Sequence, residues 1–462
     1  MTKLEAKIGL RSASILVVSV IVGSGVFKKI APMSAELGSP ILLILCWVLA
    51  GIISLFGALS TAEMASMYPN SGGEYQYFQK IYGRFFAFTY GWGNFTVMKS
   101  AAIAALAYIF AESLNSLVHF PVIAYEINLF GINFLENASI KILASGLILV
   151  LTWFNFRGVT VAEKLSNGLT YLMFAAVLIF IVFGLSSGIG SWTNLTQKSL
   201  NFDHSKLEGW GILKAMTIAS LGAFWGYEGW NHIGYIGEEV KNPKKNLPLA
   251  LTFGTLIVIL IYVMLNVVFA YTLPIDYFIG LNDSPNKIAA IEVANTLWVG
   301  VGGVFIAGLI VVTTLNSTNS SILMSARILY AMARDGLFFK KADSVHKNYH
   351  TPDVALWLQA FWSVLLVWSG SFDQLTDMLV FASFIYYGAT ALGVIILRIK
   401  APDEERNYRV PLYPFIPAIF VIFCIILLII TIFNQPKEAL FGLFLIFSGT
   451  PFYFFWRNRK SF

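Results

Sequence analysis

The sequence contains little charge. Only 12% of its 462 residues are Asp, Glu, Lys or Arg, whereas 57% are hydrophobic, and a typical soluble domain carries about twice that share of charge. The mean hydropathy is +0.72. These values exclude a soluble enzyme, a disordered chain and a fibre. The basic residues lie in short clusters between apolar runs, so the net charge of +6 does not indicate a nucleic-acid partner.

Cysteine is also scarce. The two cysteines, Cys46 and Cys424, lie within apolar runs, so we expect no disulfide framework. No His-rich or Cys-rich cluster occurs within an apolar run, and no glycine-rich phosphate-binding motif is present. We therefore expect no metal, no cofactor, no ATP binding and no enzymatic activity.

Long apolar runs dominate what remains. Twelve of them approach or exceed the 20 or so residues that a transmembrane helix needs, and the alternating segments of a β-barrel are missing. The sequence predicts an all-α polytopic membrane protein in the lipid bilayer. Numbered in chain order as spans one to twelve, the runs lie near 9–37, 40–62, 85–112, 139–156, 160–187, 209–236, 247–272, 293–331, 353–370, 376–397, 411–433 and 438–456.

The distribution of Lys and Arg predicts the orientation. The loops on the side of the N-terminus hold about four times as many basic residues as those on the other side. The segment 114–138, between spans three and four, holds none. We therefore predict a multi-pass protein of the cell (inner) membrane with both termini in the cytoplasm.

Two spans carry glycine interruptions in the middle of an apolar run. Span one contains Gly23-Ser24-Gly25, and span six contains Gly226-Tyr227-Glu228-Gly229. Glycine costs about 1 kcal/mol relative to alanine inside a helix. If spans one to five are repeated as spans six to ten, the interruptions are equivalent, and such pairs indicate a substrate site at the membrane midplane.

The chemistry of an unwound helix fits one class of ligand. Freed N–H groups at the start of a half-helix attract an anion, and freed carbonyls suit a cation. An amino acid presents both a carboxylate and an ammonium group. The alternative interpretation of such glycines is close packing between helices.

Several motifs resemble those of the amino acid–polyamine–organocation (APC) transporters, and more closely their L-amino acid exchanger branch. The match runs almost from end to end. In chain order, the motifs are Gly23–Phe27, Tyr68–Tyr75, Trp225–Asn231, Gly237–Pro243 with Leu247–Leu249, Ala333–Gly336 and Tyr408–Pro414.

This resemblance implies a LeuT-type fold. Its first five-helix repeat would cover residues 1–190, the second, inverted repeat 205–400, and two extra helices 401–462. It implies that Trp225 forms an aromatic gate. Because a carboxylate in the middle of a membrane is costly and therefore a functional candidate, we predict that Glu228 takes part in coupling. The substrate site implied by the resemblance and by the two interruptions consists of Ile21, Gly23, Ser24, Gly25, Val26, Trp225, Gly226 and Glu228.

Charge near this site departs from the pattern of the branch. Neutral-substrate exchangers usually carry glycine at the position of Glu228, and the branch carries a lysine in span five where an ungapped alignment places Met173. Because a buried charge must be paired or neutralised, we hypothesise that a proton, a sodium ion or a cationic substrate balances Glu228. Thr313, Thr314 and Ser317 could supply oxygen ligands to sodium, but hydroxyls on buried helices more often bond their own backbone.

Two further polar residues leave alternatives open. Lys99, in span three, could neutralise an internal carboxylate or extend to the membrane interface. His232 follows the span-six interruption, where we predict a hydrogen-bonded packing role. The loop 114–138 lacks the cysteine with which animal members of the branch bond a heavy subunit, so we expect no disulfide-linked partner.

The sequence thus predicts a secondary transporter of L-amino acids, of small to medium size and neutral, acting by exchange or proton-linked uptake. The alternatives are a transporter of cationic amino acids or polyamines, and a substrate sensor on the same fold.

Overall fold

The computed structural model describes residues 4–121, 128–129, 132–133, 137–282, 287–369 and 372–458. Within them, ten helices are long and apolar enough to cross a membrane, and Asp353–Ser369 is a shorter apolar helix. The protein is a polytopic α-helical membrane protein. The helices of spans one to twelve are, in order, Leu10–Ile21 with Gly25–Lys28, Pro40–Met67, Arg84–Gly93 with Lys99–Val118, Ala138–Phe156, Val159–Ser186, Trp210–Gly226, Pro243–Thr272, Gly302–Arg334, Asp353–Ser369, Phe372–Lys400, Phe415–Asn434, and Pro436–Phe447 with Thr450–Asn458.

Shorter elements connect these spans. A π-helical turn, Asn94–Met98, joins the two parts of span three. A short antiparallel pair of strands, Asn128–Leu129 and Ile132–Asn133, follows span three. The short α-helices are Ile30–Leu37, Glu74–Ile81, Ile275–Leu281 and Ala289–Leu297, and the 3₁₀ helices are Trp192–Leu195, His204–Leu207, Trp230–Glu239 and Lys340–Asp343.

Two predicted spans are interrupted where the sequence suggested one continuous run. The run 293–331 is divided into Ala289–Leu297 and Gly302–Arg334, with Gly300 at φ 84° in the turn between them. The run 438–456 is divided at Ser448-Gly449, where a side chain on Gly449 would lie 2.5 Å from the ring of Trp92. Hydropathy alone does not register either turn, because apolar residues continue through it.

Spans one and eight lie at the centre of the bundle. In the most apolar window of span one and of span eight, 78% of the residues are buried, against 28% in span five and 33% in spans four, eleven and twelve. The outer spans expose apolar side chains to the lipid-facing surface. Span seven packs along spans one and two, and span eight packs against spans three and five. The four glycines of the two interruptions, Gly23, Gly25, Gly226 and Gly229, are buried within this arrangement.

Candidate functional site

The helix of span one stops at the predicted interruption. Leu10–Ile21 ends there, Val22 leaves the helical region with ψ 87°, and a new α-helix begins at Gly25. The N–H groups of Gly25 and Val26 belong to the first turn of that helix, so they have no carbonyl partner within it. The side chain of Ser24 is buried, and its hydroxyl has no hydrogen-bond partner among the residues that the structure describes.

Span six is also interrupted where the sequence predicts it. The α-helix ends at Gly226, Gly229 adopts φ 108°, and the chain continues as the 3₁₀ segment Trp230–Glu239. A side chain at Gly229 would overlap with Val20 of span one. Glycine is therefore required here both by the backbone conformation and by the close approach of the two spans.

The two interruptions touch each other. A side chain on Gly25 would overlap with the Cα atom of Gly226 and lie 2.8 Å from its backbone nitrogen. The hydroxyl of Tyr262, in span seven, donates to the carbonyl of Ile21 at 2.8 Å or to that of Gly226 at 2.9 Å. These glycines therefore also serve close packing between helices, which was the alternative interpretation. Tyr262 was not anticipated, because a single tyrosine in an apolar span carries no local signal.

A small cavity of about 20 Å³ lies between the interruptions. This volume holds about one water molecule, so the site is closed in this conformation. Six of the eight predicted site residues line the cavity, while Val26 and Gly226 are not among the lining residues. The lining comprises Val20, Ile21, Gly23, Ser24, Gly25, Ala102, Leu106, Trp225, Glu228, His232, Ser317 and Ser321.

Val26 and Gly226 lie just outside this lining. Val26 is fully buried, and a side chain on Gly226 would meet the ring of Trp47 at 2.8 Å, so that position packs against span two. Trp225, the predicted gate, is buried, and the nearest atom of its indole ring is 3.2 Å from where a Cβ on Gly25 would stand. Its gating role stays a prediction.

Glu228 lies at the cavity with its charge already balanced. Its Oε1 atom is 2.6 Å from Lys99 Nζ, and the hydroxyl of Tyr387, in span ten, lies 2.8 and 2.7 Å from its two oxygens. The hypothesis that a proton, a sodium ion or a cationic substrate must balance this carboxylate is therefore wrong for this conformation. Lys99 takes the first of its two predicted roles and does not extend to an interface.

His232 also differs from its prediction. It is buried and lines the cavity, and its Nε2 atom lies 3.8 Å from Glu228 Oε1. Neither ring nitrogen has a hydrogen-bond partner among the described residues. A hydrogen-bonded packing role does not fit this geometry, since both polar atoms stand unbonded beside the site.

The hydroxyls considered for sodium bond to backbone carbonyls. Thr313 and Thr314 donate to Ile310 at 3.0 and 2.6 Å, and Ser317 donates to Val20 at 2.6 Å. In the described part of the chain, no group of three or more His, Cys, Asp or Glu side chains could hold a metal ion. Met173 is fully buried in span five.

The two ends of the bundle differ in closure. On the end that carries Ile8, here called the N-terminal face, the 3₁₀ segment Trp230–Glu239 seals the bundle. Ile8 N–H donates to the carbonyl of Glu239 at 2.9 Å, and Gly72 N–H donates to the carbonyl of Tyr235 at 2.9 Å. On the opposite side, a wider cavity of about 270 Å³ is lined in part by Lys28, Lys29 and Gly222. The site cavity is closed toward the N-terminal face. The wider cavity on the opposite side, here called the vestibule, shares no lining residue with the site cavity in the described part of the chain.

Two interrupted helices that enclose a small cavity, lined in part by polar groups, are typical of membrane transporters. The chain belongs to the amino acid permease family, whose sequence model matches residues 8–451. This confirms the resemblance to the APC transporters and shows amino acid transport as the general function. The family and the relatives described below are transporters and not enzymes, in agreement with the prediction.

Similar proteins cover nearly the whole chain. The serine/threonine exchanger SteT of Bacillus subtilis (strain 168) is 30% identical over 99% of this chain and 98% of its own. The b(0,+)-type amino acid transporter 1 of Mus musculus is 28% identical over 98% of this chain and 88% of its own. The cystine/glutamate transporter of Homo sapiens is 26% identical over 98% of this chain and 85% of its own.

Proposed function

We propose that this protein is a secondary transporter that exchanges small neutral L-amino acids. The observation that carries the proposal is the state of Glu228, whose carboxylate is held by Lys99 at 2.6 Å and by Tyr387 at 2.7 Å. A carboxylate with those partners offers no uncompensated charge to a cationic side chain. Exchange is further supported by the similarity of this chain to a serine/threonine exchanger along nearly the whole length of both proteins.

The walls of the cavity support a small substrate. Ala102, Ser317 and Ser321 contribute short side chains, and Leu106 and Trp225 limit its width. We propose that the substrate carboxylate binds at the start of Gly25–Lys28, near the unbonded hydroxyl of Ser24, and that its ammonium group meets carbonyls of the interrupted spans. Trp225 would close over the substrate as the gate.

Alternating access follows from the two interruptions. We propose that residues 1–190 and 205–400 form the two inverted repeats, with 401–462 outside them, and that rocking of the interrupted helices exposes the site to each side in turn. In the proposed orientation, the N-terminal face is cytoplasmic and the membrane is the cell membrane. We also propose that no disulfide-linked heavy subunit is needed, although residues 122–127, 130–131 and 134–136 of the relevant loop lie outside the described part.

Uptake into proteoliposomes tests this function. Labelled alanine and labelled arginine are each offered to vesicles that are empty or preloaded with unlabelled serine, at two external pH values. Exchange of neutral amino acids predicts alanine uptake only into preloaded vesicles. Alanine uptake into empty vesicles that increases with external acidity would instead support proton-linked uptake.

Arginine is the discriminating substrate for the second candidate function, transport of cationic amino acids. That candidate rests on the presence of Glu228 at the cavity. Arginine uptake that exceeds alanine uptake would contradict the neutral assignment and would mean that the substrate displaces Lys99 from the carboxylate. Protein-free vesicles and vesicles with the Gly25→Ala variant serve as controls.

A further inference from the structure

Four glutamates are buried in the described part of the chain: Glu63, Glu74, Glu228 and Glu239. Three of them have a basic partner. Glu63 is 2.6 Å from Arg398, and Glu239 is 2.8 Å from Arg327, while Glu228 pairs with Lys99. Burying an unpaired carboxylate is costly. Glu74 is the exception in this set and calls for a different means of neutralisation.

The hydrogen-bond partners of Glu74 are neutral. Asn231 Nδ2 donates to its Oε1 at 2.6 Å, and the hydroxyl of Tyr90 donates to its Oε2 at 3.3 Å. Glu74 begins the short helix Glu74–Ile81, which lies between spans two and three. Desolvation by burial raises the pKa of Glu74 to about 7, although Asn231, its own backbone N–H, the charge of Lys99 and Tyr90 each lower it.

Among the described residues that face Glu74, one is a cation. Tyr77 lies on the same helix, Tyr90 and Lys99 lie on span three, Tyr235 lies on the 3₁₀ segment, and Tyr387 lies on span ten. Lys99 is already engaged by Glu228. Two carboxylates therefore share one ammonium group, and a proton on Glu74 balances the charge of the cluster.

A continuous polar chain connects Glu74 to the cavity. The hydroxyl of Tyr387 lies 2.7 Å from Glu228 and 3.3 Å from Asn231 Oδ1, and Asn231 in turn donates to Glu74. Asn231 belongs to the 3₁₀ segment Trp230–Glu239, which seals the N-terminal face. Movement of this segment away from Glu74 would open that face and admit water to the carboxylate.

We propose that Glu74 is a proton-binding site of the transport cycle, protonated while the N-terminal face is closed and deprotonated when that face opens. On opening, the carboxylic acid gives its proton to the entering water, and on closing, the carboxylate takes one proton back. This inference deepens the proposed function and rests on it, because the transport cycle is part of that function. It places the protonation change of this cycle at Glu74 and not at Glu228, whose charge is balanced by Lys99.

The sign of the pH dependence follows from linkage. The closed form holds Glu74 with a raised pKa of about 7, and a water-exposed glutamate titrates near 4.3. The closed form therefore binds more protons between these values, so acid favours closure and opening becomes easier as the pH rises toward 7. A change from pH 7.5 to pH 5.5 is expected to reduce opening about 20-fold.

Cysteine labelling measures this opening without any substrate. In a background that lacks Cys46 and Cys424, Ser321→Cys reports on the closed cavity, and Ile218→Cys reports on the wide vestibule of the opposite side. Both variants are reconstituted in lipid nanodiscs and treated with a membrane-impermeant maleimide. The ratio of the two rates removes the ordinary effect of pH on thiol reactivity.

We expect the ratio to decrease about 20-fold from pH 7.5 to pH 5.5, and Glu74→Gln to abolish this change. Glu238→Gln, which neutralises a half-buried carboxylate paired with Arg334 on the same face, is the matched control and should retain it. Glu74→Asp should keep the dependence with a shifted midpoint, and this variant decides the matter if Glu74→Gln does not fold.

A ratio of labelling rates that is independent of pH would overturn the proposal. So would a pH dependence that is unchanged in Glu74→Gln, or one that keeps the same midpoint in Glu74→Asp. Because no amino acid is present in this assay, a protein that fails to exchange alanine can still confirm the proton site. A functional exchanger can equally lack it, so the two proposals fail separately.

Discussion

The two interrupted spans perform the same local unwinding with different chemistry. At the interruption of span one, Gly23, Ser24 and Gly25 present backbone groups and one hydroxyl. The interruption of span six presents two side chains. Glu228 is held by residues of spans three and ten, and the ring nitrogens of His232 have no hydrogen-bond partner among the described residues. The difference suggests a division of labour in which span one binds the part common to all amino acids and span six sets the preference for the side chain.

The largest expected effect concerns the point where the spans touch. Even Gly25→Ala places a methyl group on top of the Gly226 backbone, so we expect it to abolish exchange. Gly146→Ala, in span four, has no atom within 4 Å of its new side chain and should exchange normally. Size-exclusion chromatography checks that both variants are folded, and alanine uptake measures their exchange. Retained uptake by Gly25→Ala would refute the close contact of the two spans.

The charge in span six is tested by removing its partner. Lys99→Met leaves Glu228 buried without a cation, which costs about 3–5 kcal/mol, so we expect exchange to decrease at least about 100-fold. The double variant Lys99→Met/Glu228→Gln removes the stranded charge and should regain most of the activity. Lys214→Met, an exposed lysine of span six, is the control.

A double variant as inactive as Lys99→Met alone would mean that the ion pair itself contacts the substrate. Its rates are measured with alanine and with arginine, because a shift of preference between them reports on the role of span six in selectivity.

The hydroxyl of span one is expected to matter less. Ser24→Ala removes one donor to the substrate carboxylate, which contributes about 1.5 kcal/mol, so we expect about a tenfold higher KM with kcat little changed. Ser34→Ala removes another buried hydroxyl that has no partner among the described residues, away from the cavity lining, and should leave KM unaltered. Equal effects of the two substitutions would argue against contact between Ser24 and the substrate.

The smallest effect is expected at the bridge between the spans. Tyr262→Phe removes the hydroxyl that serves the carbonyls of Ile21 and Gly226, at a cost of about 1 kcal/mol. We expect about a fivefold lower exchange rate and a lower thermal midpoint. Tyr171→Phe, at an exposed position of span five, is the control, and an exchange rate unchanged by Tyr262→Phe would show that water replaces the bridge.

The sequence predicted the spans and interruptions better than the contacts around them. Gly23, Gly25, Gly226 and Gly229 were recognisable because glycine in a long apolar run is a local anomaly. The turns after Leu297 and Phe447 were missed because hydropathy continues through them. Tyr262 was missed, and the role of His232 was misjudged, since neither residue differs in its local pattern from a packing residue.

The sequence by itself determined that this chain is a polytopic membrane protein with two interrupted spans, because apolar run length and the helix penalty of glycine act over neighbouring residues. Only the tertiary structure decided which charges meet. The contacts from Lys99 to Glu228, from Tyr387 to Glu228 and from Tyr262 to Ile21 join residues 129, 159 and 241 positions apart. It also decided that Glu74 is buried without a cation of its own, since the neutralisation of a buried carboxylate depends on neighbours that packing brings together.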